Sequence, residues 1–372
     1  MYEFVKGEGI YLYNKTGNSF IDLISGIAVN NIGHNNPFVT KAIKEQVDRY
    51  SHQMVYGEYV IAPQVELAQE LAKHLPEQLQ KFYFLNSGSE AIEGAMKLAK
   101  RHTRRTKIVA MKNAYHGSTS GSLSMMSNEY YSKAFRPLLP HIYFMDFNDI
   151  HSLDIIDTET AAVFLEPIQA EVGYIPATLD FLTKVREKCN ETGTLLIFDE
   201  IQTGIGRSGK LYAFEHYQII PDVLVSAKAL GGGMPIGAFI SSHEIMQSIV
   251  DNPILGHITT FGGHPVCCAA GNASIKYIIE NKLLNSVSKK EKLFRDLLVH
   301  PKIKNVTGKG LMLAAHLDSF EEVERTMQRC IERGVIIDWF LYNQNALRIS
   351  PPLIITEDEI KKVCEILLIA LD

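Results

Sequence analysis

The stretch Val223-Leu-Val-Ser-Ala-Lys-Ala-Leu-Gly-Gly-Gly places Lys228 directly after a short apolar run. The earlier stretch Leu195-Leu-Ile-Phe-Asp-Glu ends in the same way, with Asp199 closing the run. Short apolar runs bounded by turn signals are typical of buried strands in a parallel sheet. We therefore predict that both charged groups emerge at strand ends, where rigid elements hold them.

A lysine and an aspartate presented in this way provide what pyridoxal phosphate requires. The amine can form a Schiff base, and the carboxylate can keep a proton on the ring nitrogen by charge attraction. For these two residues alone, a buried ion pair or two unrelated loop charges explain the pattern equally well. The interpretation therefore depends on whether the chain also offers a phosphate site and a ring-stacking group.

Candidates for both are present. The stretch Tyr83-Phe-Leu-Asn-Ser-Gly-Ser-Glu begins as a strand, breaks and enters a helical pattern, and a helix start with free N–H groups binds anions. Taken singly, its Ser-Gly-Ser is explained more simply by helix capping. The stretch Ala114-Tyr-His-Gly follows another apolar run, so Tyr115 can lie across a cofactor ring. An isolated aromatic at this position can equally be a core residue.

Six motifs occur in the order found in the class III pyridoxal-phosphate aminotransferases. They are Asn86-Ser-Gly-Ser-Glu-Ala, Tyr115-His-Gly, Glu166-Pro-Ile-Gln-Ala-Glu, Phe198-Asp-Glu-Ile-Gln-Thr-Gly-Ile-Gly-Arg, Ser226-Ala-Lys-Ala-Leu-Gly-Gly-Gly-Met-Pro and Thr260-Phe-Gly-Gly-His-Pro. The chain resembles the branch that contains acetylornithine, ornithine and 4-aminobutyrate aminotransferases. The resemblance implies an α/β fold of the fold-type I PLP-dependent transferases, with a mainly parallel seven-stranded sheet, helices on both faces and a smaller α+β domain.

The resemblance also implies a role for each matching residue. Lys228 is the Schiff-base lysine, and Asp199 is the partner of the pyridinium nitrogen. No metal ligands are expected. The remaining cofactor-binding residues are Gly88 and Ser89 at the phosphate, Tyr115 against the ring and Gln202 beside the ring hydroxyl.

Thr260 matches a residue that reaches the phosphate of the neighbouring subunit, which implies a homodimer with shared active sites. Arg348 matches the arginine that binds the carboxylate of glutamate or 2-oxoglutarate, and Glu171 matches a glutamate that pairs with that arginine when no carboxylate is bound. A guanidinium suits this task because it binds a carboxylate in bidentate fashion. Without the family, a surface salt bridge is the simpler interpretation of Arg348. For Glu166, a structural role within its loop and a direct catalytic role are equally compatible with the sequence.

The predicted reaction is a ping-pong transfer of the distal amine of an acetylornithine-, ornithine- or 4-aminobutyrate-like donor to 2-oxoglutarate. Ser118 stands where this branch usually has a carboxylate-binding arginine, and His264 where it usually has asparagine. Arg136 is a possible substitute, although a surface position is its more ordinary explanation. The donor therefore stays open, and the alternative is an amino-acid racemase or epimerase, or an ω-amino acid:pyruvate-type aminotransferase, on the same fold.

The stretch Gly204-Ile-Gly-Arg-Ser-Gly suggests a different class of enzyme. It formally matches the dinucleotide-binding fingerprint, and Asp222 follows near the position expected of a ribose-binding acid. The acidic segment 199–203 separates the strand from the first glycine, which argues against an NAD-dependent oxidoreductase. A non-catalytic relative is the other alternative, and the retained Lys228 and Arg348 argue against it.

The composition fits a large globular enzyme. Of 372 residues, 46% are hydrophobic and 21% charged, and the formal net charge is -5. A negative chain offers no surface for nucleic acid, and we find neither a signal-peptide pattern nor an apolar stretch of membrane-spanning length. The five cysteines lack metal-binding spacing, so we expect reduced thiols in a cytoplasmic protein.

Strand and helix patterns alternate along most of the chain, which indicates a parallel sheet covered by helices. We assign residues 37–275 to the large PLP-binding domain and residues 276–372 to a small α+β domain. Residues 1–36 form an N-terminal segment that packs with the small domain. Within that segment, Gly17-Asn18 lies between two apolar stretches and predicts a hairpin.

Overall fold

The computed structural model describes residues 2–372. Its strands are, in chain order, β1 (Phe4–Glu8), β2 (Tyr11–Asn14), β3 (Ser19–Asp22), β4 (Lys81–Leu85), β5 (Lys107–Met111), β6 (Ile142–Met145), β7 (Thr160–Leu165), β8 (Ile168–Gln169), β9 (Ile175–Pro176), β10 (Leu195–Asp199), β11 (Val223–Ala227), β12 (Gly237–Ser241), β13 (Asn305–Gly308), β14 (Leu313–His316), β15 (Val335–Ile336) and β16 (Ala346–Ile349).

The helices alternate with these strands. They are α1 (Ser25–Ala28), α2 (Pro37–Arg49), α3 (Ala62–Ala72), α4 (Gly88–Thr103), α5 (Ser120–Ser124), α6 (Glu129–Ser132), α7 (Leu179–Thr192), α8 (His243–Gln247), α9 (Pro265–Glu280), α10 (Leu284–Leu297), α11 (Phe320–Glu332) and α12 (Glu357–Leu371). No helix within residues 2–372 combines the length and the apolar character needed to cross a membrane.

A seven-stranded sheet in the order β4-β12-β11-β10-β7-β5-β6 lies at the centre of the large domain. Strands β11, β10, β7, β5 and β6 are parallel, whereas β12 runs antiparallel between β4 and β11. The predicted α/β fold with a mainly parallel seven-stranded sheet is confirmed.

Helices cover both faces of this sheet, and the strands contribute side chains to a hydrophobic core on each face. In β10, Leu196 and Phe198 belong to one core, and Leu195 and Ile197 belong to the other. Apolar residues are therefore needed at successive positions, which explains why these strands show no polar alternation. The carboxyl ends of β5, β7, β10 and β11 meet at one edge of the sheet, where ligand sites of such folds lie.

The C-terminal part forms a second unit around its own core. Strands β13, β14 and β16 form an antiparallel sheet, and helices α10, α11 and α12 share a core with it. The predicted hairpin is present, with Tyr11 opposite Ile21 in the β2–β3 pair. Strand β3 pairs with β15, so the first strands join the C-terminal unit. These contacts support the division that we propose, with segment 1–36 and domain 276–372 packed together beside domain 37–275.

Strand β15 in the C-terminal unit is only two residues long. It ends at Ile336, and Asp338 instead forms an isolated bridge with Arg348. The backbone N–H of Arg348 donates to the carbonyl of Asp338 at 2.7 Å. The chain between β15 and β16 is thereby free to turn toward the large domain, where it reaches the candidate site.

Candidate active site

Lys228 and Asp199 lie at the ends of two neighbouring parallel strands. Asp199 is the last residue of β10, and Lys228 directly follows β11. Glu166 follows the end of β7, and Tyr115 lies in the loop after β5. The carboxyl edge of the sheet therefore presents these four side chains in a row, in the order of the strands that carry them.

These strand ends open onto a cavity of about 420 Å³. Glu171 and Arg348 are not among the residues that line this cavity. Arg348 is connected to it through the cavity residue Gln202, whose Oε1 accepts from Arg348 Nη1 at 3.4 Å. Thr260 is exposed and does not line it. Six of the predicted site residues line the cavity: Gly88, Ser89, Tyr115, Asp199, Gln202 and Lys228.

Lys228 occupies an unusual backbone position and a desolvated environment. Its φ of 49° lies in the left-handed region, which residues other than glycine rarely adopt and which is enriched at functional sites. Burial lowers the pKa of its amine to about 8; the nearby carboxyl groups oppose this shift to a smaller extent, whereas Arg348 adds to it. The amine is therefore partly neutral near pH 7, and a neutral amine is the nucleophilic and basic form of lysine.

Asp199 is fixed by two hydrogen bonds. Its Oδ2 lies 2.7 Å from His116 Nδ1, and its Oδ1 accepts from the backbone N–H of Ile201 at 3.0 Å. His116 is itself buried, with its ring edge-on to Phe164. A carboxylate oriented in this way presents its charge to the cavity in one direction. Sequence reasoning missed the role of His116, although the residue stands inside one of the six motifs.

The start of helix α4 forms the candidate phosphate loop. Ser87 is the N-cap, and its Oγ accepts from the backbone N–H of Glu90 at 3.2 Å. A Cβ on Gly88 would come within 2.8 Å of Ile201 Cδ1, so the helix start and the loop after β10 approach each other closely there. Ser89 Oγ accepts from the N–H of Ser118 at 3.3 Å. Ser87, Gly88 and Ser89 thus line the cavity at a helix N-terminus, an arrangement that suits an anion.

Glu166 braces the loop that carries Tyr115. Its Oε2 accepts from the N–H of Tyr115 at 3.3 Å, and its Oε1 accepts from Ala170 N at 3.1 Å. Burial and the nearby charge of Asp199 raise the pKa of Glu166 well above its usual range. Burial next to Asp199 therefore disfavours a second carboxylate charge at this position.

Arg348 and Glu171 form a buried ion pair, with Nη2 donating to Oε2 at 2.8 Å. Burial alone would raise the pKa of Glu171, but the charge and hydrogen bonds of Arg348 outweigh this effect and lower it. Arg348 has 2% of its surface exposed, which rules out the interpretation as a surface salt bridge. Separating such a pair would leave an uncompensated buried charge. Any group that displaces Glu171 must therefore bring a negative charge that balances the guanidinium of Arg348.

Aromatic residues that no sequence pattern indicated hold the guanidinium of Arg348 in place. Phe340 lies 4.4 Å from its central carbon and Tyr174 lies 5.5 Å away, with the two rings perpendicular to each other. The Tyr174 hydroxyl accepts from Nη1 at 3.3 Å, and the carbonyl of Trp339 accepts from Nη2 at 3.2 Å. These contacts fix the direction in which the guanidinium points.

Two sequence alternatives lose their support. Arg136 pairs with Glu129 and is about half exposed, so it is a surface arginine that does not line the cavity. The loop 204–209 does not begin an α-helix, and Arg207 within it donates to the carbonyl of Leu311 at 2.9 Å. Asp222 accepts from Arg186 at 2.8 Å. Neither the loop nor this aspartate is arranged to bind a dinucleotide.

The comparisons with known proteins agree with this geometry. A family model described as aminotransferase class-III matches residues 1–371. The chain belongs to this family. It is therefore a transaminase, and the class III enzymes depend on pyridoxal phosphate. The predictions of family, enzyme class and cofactor are confirmed.

The similar proteins include acetylornithine and ornithine aminotransferases. Acetylornithine aminotransferase of Caldanaerobacter subterraneus subsp. tengcongensis is 40% identical, over 98% of this chain and 93% of its own. The [LysW]-aminoadipate semialdehyde/glutamate semialdehyde transaminase of Sulfolobus acidocaldarius is 37% identical, over 98% and 93%. The solved ornithine aminotransferase of Toxoplasma gondii superposes with a TM-score of 0.93 at 27% identity, covering 100% of this chain and 90% of its own.

Proposed function

We propose that the protein transfers the distal amine of an acetylornithine-, ornithine- or 4-aminobutyrate-like donor to 2-oxoglutarate in a ping-pong reaction. The observation that carries this proposal is the buried Arg348–Glu171 ion pair, which Gln202 joins to the cavity of Lys228. A guanidinium beside a reactive amine suits a dicarboxylate acceptor, because it binds one carboxylate in bidentate fashion. The names of the relatives favour the same class of donor.

The residues around the cavity fit pyridoxal phosphate. Lys228 offers an amine for covalent attachment, and Asp199, held by His116, offers a fixed carboxylate for the ring nitrogen. When bound, this cofactor supplies an electron sink for the bond that breaks beside the donor nitrogen. We assign the remaining contacts to Gly88 and Ser89 at the phosphate, Tyr115 against the ring and Gln202 beside the ring hydroxyl.

Lys228 Nζ is the group that moves the proton. Because desolvation lowers its pKa to about 8, the free amine can accept a proton from the amine-bearing carbon of the donor at neutral pH. Asp199 stabilises positive charge in the cavity throughout, since its hydrogen bonds to His116 and Ile201 keep the carboxylate oriented.

Glu171 allows one site to accept two kinds of substrate. While it pairs with Arg348, the guanidinium is neutralised and the cavity accepts a donor that lacks a carboxylate at that end. A dicarboxylate that enters displaces Glu171 and takes over the ion pair, so the buried positive charge never stands alone. The exchange of one carboxylate for another is the step that separates the two half-reactions.

The test is an assay of the purified holoprotein with 2-oxoglutarate and a panel of amines. We expect glutamate to form with one or more of N-acetyl-L-ornithine, ornithine, 4-aminobutyrate, lysine and β-alanine. Loss of optical rotation in an amino acid without any acceptor, and no glutamate from the panel, would replace the proposal with racemisation. Alanine formed with pyruvate as the acceptor, without glutamate formed from 2-oxoglutarate, would shift it to the ω-amino acid:pyruvate type.

The rate at which the apoprotein attaches its cofactor is expected to rise with pH and to level off above about pH 8. Only the neutral amine of Lys228 attacks the aldehyde, so the rate should fall roughly tenfold per pH unit below that value. Stopped-flow absorbance of the attached cofactor between pH 6 and pH 10 measures this profile. A rate that keeps rising toward the ordinary lysine pKa of 10.5 would contradict the desolvated setting of the amine.

We also propose a homodimer in which Thr260 completes the phosphate site of the partner subunit. Thr260 is exposed and lies away from the cavity of its own chain. Large apolar side chains surround it in the sequence, and clusters of this kind mark protein interfaces. The exposed members of this group are Val250, Ile254, Leu255, Ile258 and Phe261.

Co-expression of Thr260→Asp with Lys228→Ala is expected to restore activity that neither variant has alone. The aspartate would repel the phosphate in the partner's site, whereas the heterodimer keeps one site with an intact Lys228 and an intact Thr260. Random pairing predicts roughly a quarter of the wild-type activity. If each Thr260 served its own subunit, the heterodimer would contain no intact site and the mixture would stay inactive. Glutamate formation by the purified heterodimer decides between these outcomes.

A further inference from the structure

Arg207 is a fully buried cation whose hydrogen bonds go to neutral groups. Its Nη1 donates to the carbonyls of Leu311, at 2.9 Å, and of Pro351, and its Nη2 donates to Asn31 Oδ1. Burial lowers the pKa of Arg207 to about 10, so the guanidinium still carries its charge near neutral pH. Burying a charge without a carboxylate partner is costly, and a hydrophobic side chain of similar size would avoid that cost. The compensating gain lies in what the guanidinium connects.

Two of its acceptors lie at the open end of the β14–β16 pair. The register pairs Leu313 with Ile349, and two residues further along the same register brings Leu311 opposite Pro351. Proline has no N–H and cannot continue the ladder. Instead, Nη1 of Arg207 donates to the carbonyls of both chains at this point, and the N–H of Leu311 donates to the Arg207 carbonyl at 3.0 Å. The guanidinium thereby closes the end of this ladder.

The same strand and the same loop meet a second time, at the candidate site. Arg348 lies in β16, three residues before Pro351, and its Nη1 donates to Gln202 Oε1 at 3.4 Å. Gln202 belongs to the loop that joins Asp199 to Arg207. The contacts therefore form a closed ring, from the loop through Arg207 to the end of β16, along β16 to Arg348, and through Gln202 back to the loop. Because the Gln202 contact is long and weak, the firm attachment in this ring is the one that Arg207 makes.

The N-terminal segment joins the same junction. The side-chain amide of Asn31 donates to the carbonyl of Ile205 at 2.7 Å, and the N–H of Leu353 donates to the Asn31 carbonyl at 2.7 Å. Arg207 thus connects the loop after β10 to the N-terminal segment and to the C-terminal unit. A planar guanidinium presents N–H donors in several fixed directions, whereas an ammonium presents them from one point. This difference explains why an arginine suits the junction.

We propose that Arg207 is a positioning residue for Arg348, which it places relative to the Lys228 cavity by holding the end of β16 on the loop after β10. This inference rests on the proposed function, in which Arg348 binds a carboxylate of the 2-oxo acid. Arg207 does not line the cavity. Its loss should therefore weaken recognition of that carboxylate far more than the chemistry at Lys228, since a misplacement of about 1 Å can cost roughly a hundredfold in rate.

The test uses the protein loaded with pyridoxamine phosphate, so that no amino donor is needed, and two amino acceptors. 2-Oxoglutarate carries carboxylates, whereas pentanal offers a carbonyl group without any carboxylate and does not depend on Arg348. Each reaction is followed in single turnovers by cofactor absorbance. Arg207→Met removes the charge at similar length, and Arg207→Lys keeps the charge but makes fewer of the bonds. Arg186→Met is the matched control, because Arg186 pairs with Asp222 at 2.8 Å at the opposite edge of the sheet.

For Arg207→Met we expect the second-order rate constant to fall about thirtyfold with 2-oxoglutarate and to change less than about threefold with pentanal. Arg207→Lys should show the same discrimination between the acceptors with a smaller loss, and it carries the test if Arg207→Met does not fold. The Kd of glutarate, measured by calorimetry on the loaded protein, should rise in parallel without any turnover. Arg186→Met should alter the two rate constants by the same factor and leave the Kd of glutarate unchanged.

Equal losses with both acceptors in the Arg207 variants, or no loss with 2-oxoglutarate, would overturn the assignment of Arg207 while leaving transamination intact. A selective loss with 2-oxoglutarate in Arg186→Met as well would overturn it too, because the effect would then not depend on this junction. A wild-type protein that does not react with 2-oxoglutarate would overturn the proposed function, and this inference with it. The wild-type measurement therefore distinguishes the two failures.

Discussion

Lys228→Ala is expected to lower kcat by at least about 10³-fold, because the same amine serves as the attachment point and as the proton carrier. Lys228 directly follows β11, its pKa is lowered to about 8, and it is the only lysine or arginine that lines the cavity among the described residues. The variant should still bind the cofactor without a covalent bond, since the proposed phosphate and ring contacts are untouched. Single-turnover rates with a saturating donor measure the loss.

Two controls separate chemistry from folding. Lys112→Ala removes an exposed lysine that pairs with Asp146 at 2.8 Å, and it should keep the activity of the wild type. Added methylamine should restore part of the Lys228→Ala rate, because a free amine can enter the space that the side chain leaves. Borohydride treatment followed by mass spectrometry should find the cofactor on residue 228 in the wild type only. Undiminished turnover in Lys228→Ala would remove the basis of the proposed mechanism.

The row of groups at the sheet edge could be predicted from the sequence because a local pattern defines it. Each of Lys228, Asp199 and Glu166 stands where an apolar run ends, and a buried parallel strand shows itself as such a run. Parallel strands of one sheet put their carboxyl ends on the same edge, so position in sequence translated into proximity in space. The strand assignments needed no knowledge of long-range contacts.

The contacts that orient these groups could not be predicted in this way. His116 meets Asp199 only because β5 and β10 both flank β7, and the sequence does not state the order of the strands. Phe340 and Tyr174 meet over Arg348 from distant parts of the chain, in segments without regular periodicity. Family resemblance supplied the residues that we propose for substrate and cofactor, whereas the residues that hold them in place became visible only in three dimensions.

Asp199→Asn is the second change for which we expect a large loss, with kcat falling roughly 10²- to 10³-fold. The amide keeps the size of the carboxylate but removes the negative charge that the proposed mechanism places beside the ring nitrogen. A carboxylate fixed by His116 at 2.7 Å and Ile201 at 3.0 Å needs no reorganisation as positive charge develops, and an amide offers only a dipole. The loss should therefore appear in kcat more than in the KM of either substrate.

Asp222→Asn provides the matched control. Asp222 precedes β11 at the opposite edge of the sheet, where it accepts from Arg186 at 2.8 Å and from the N–H of Leu196 at 2.7 Å. Its replacement removes a partly buried carboxylate charge without touching the cavity, so it should lower thermal stability and leave kcat nearly unchanged. Asp199→Asn should show the reverse pattern, together with an altered absorbance spectrum of the bound cofactor. Equal losses of kcat in both variants would mean that the Asp199 charge acts through stability and has no specific part in the chemistry.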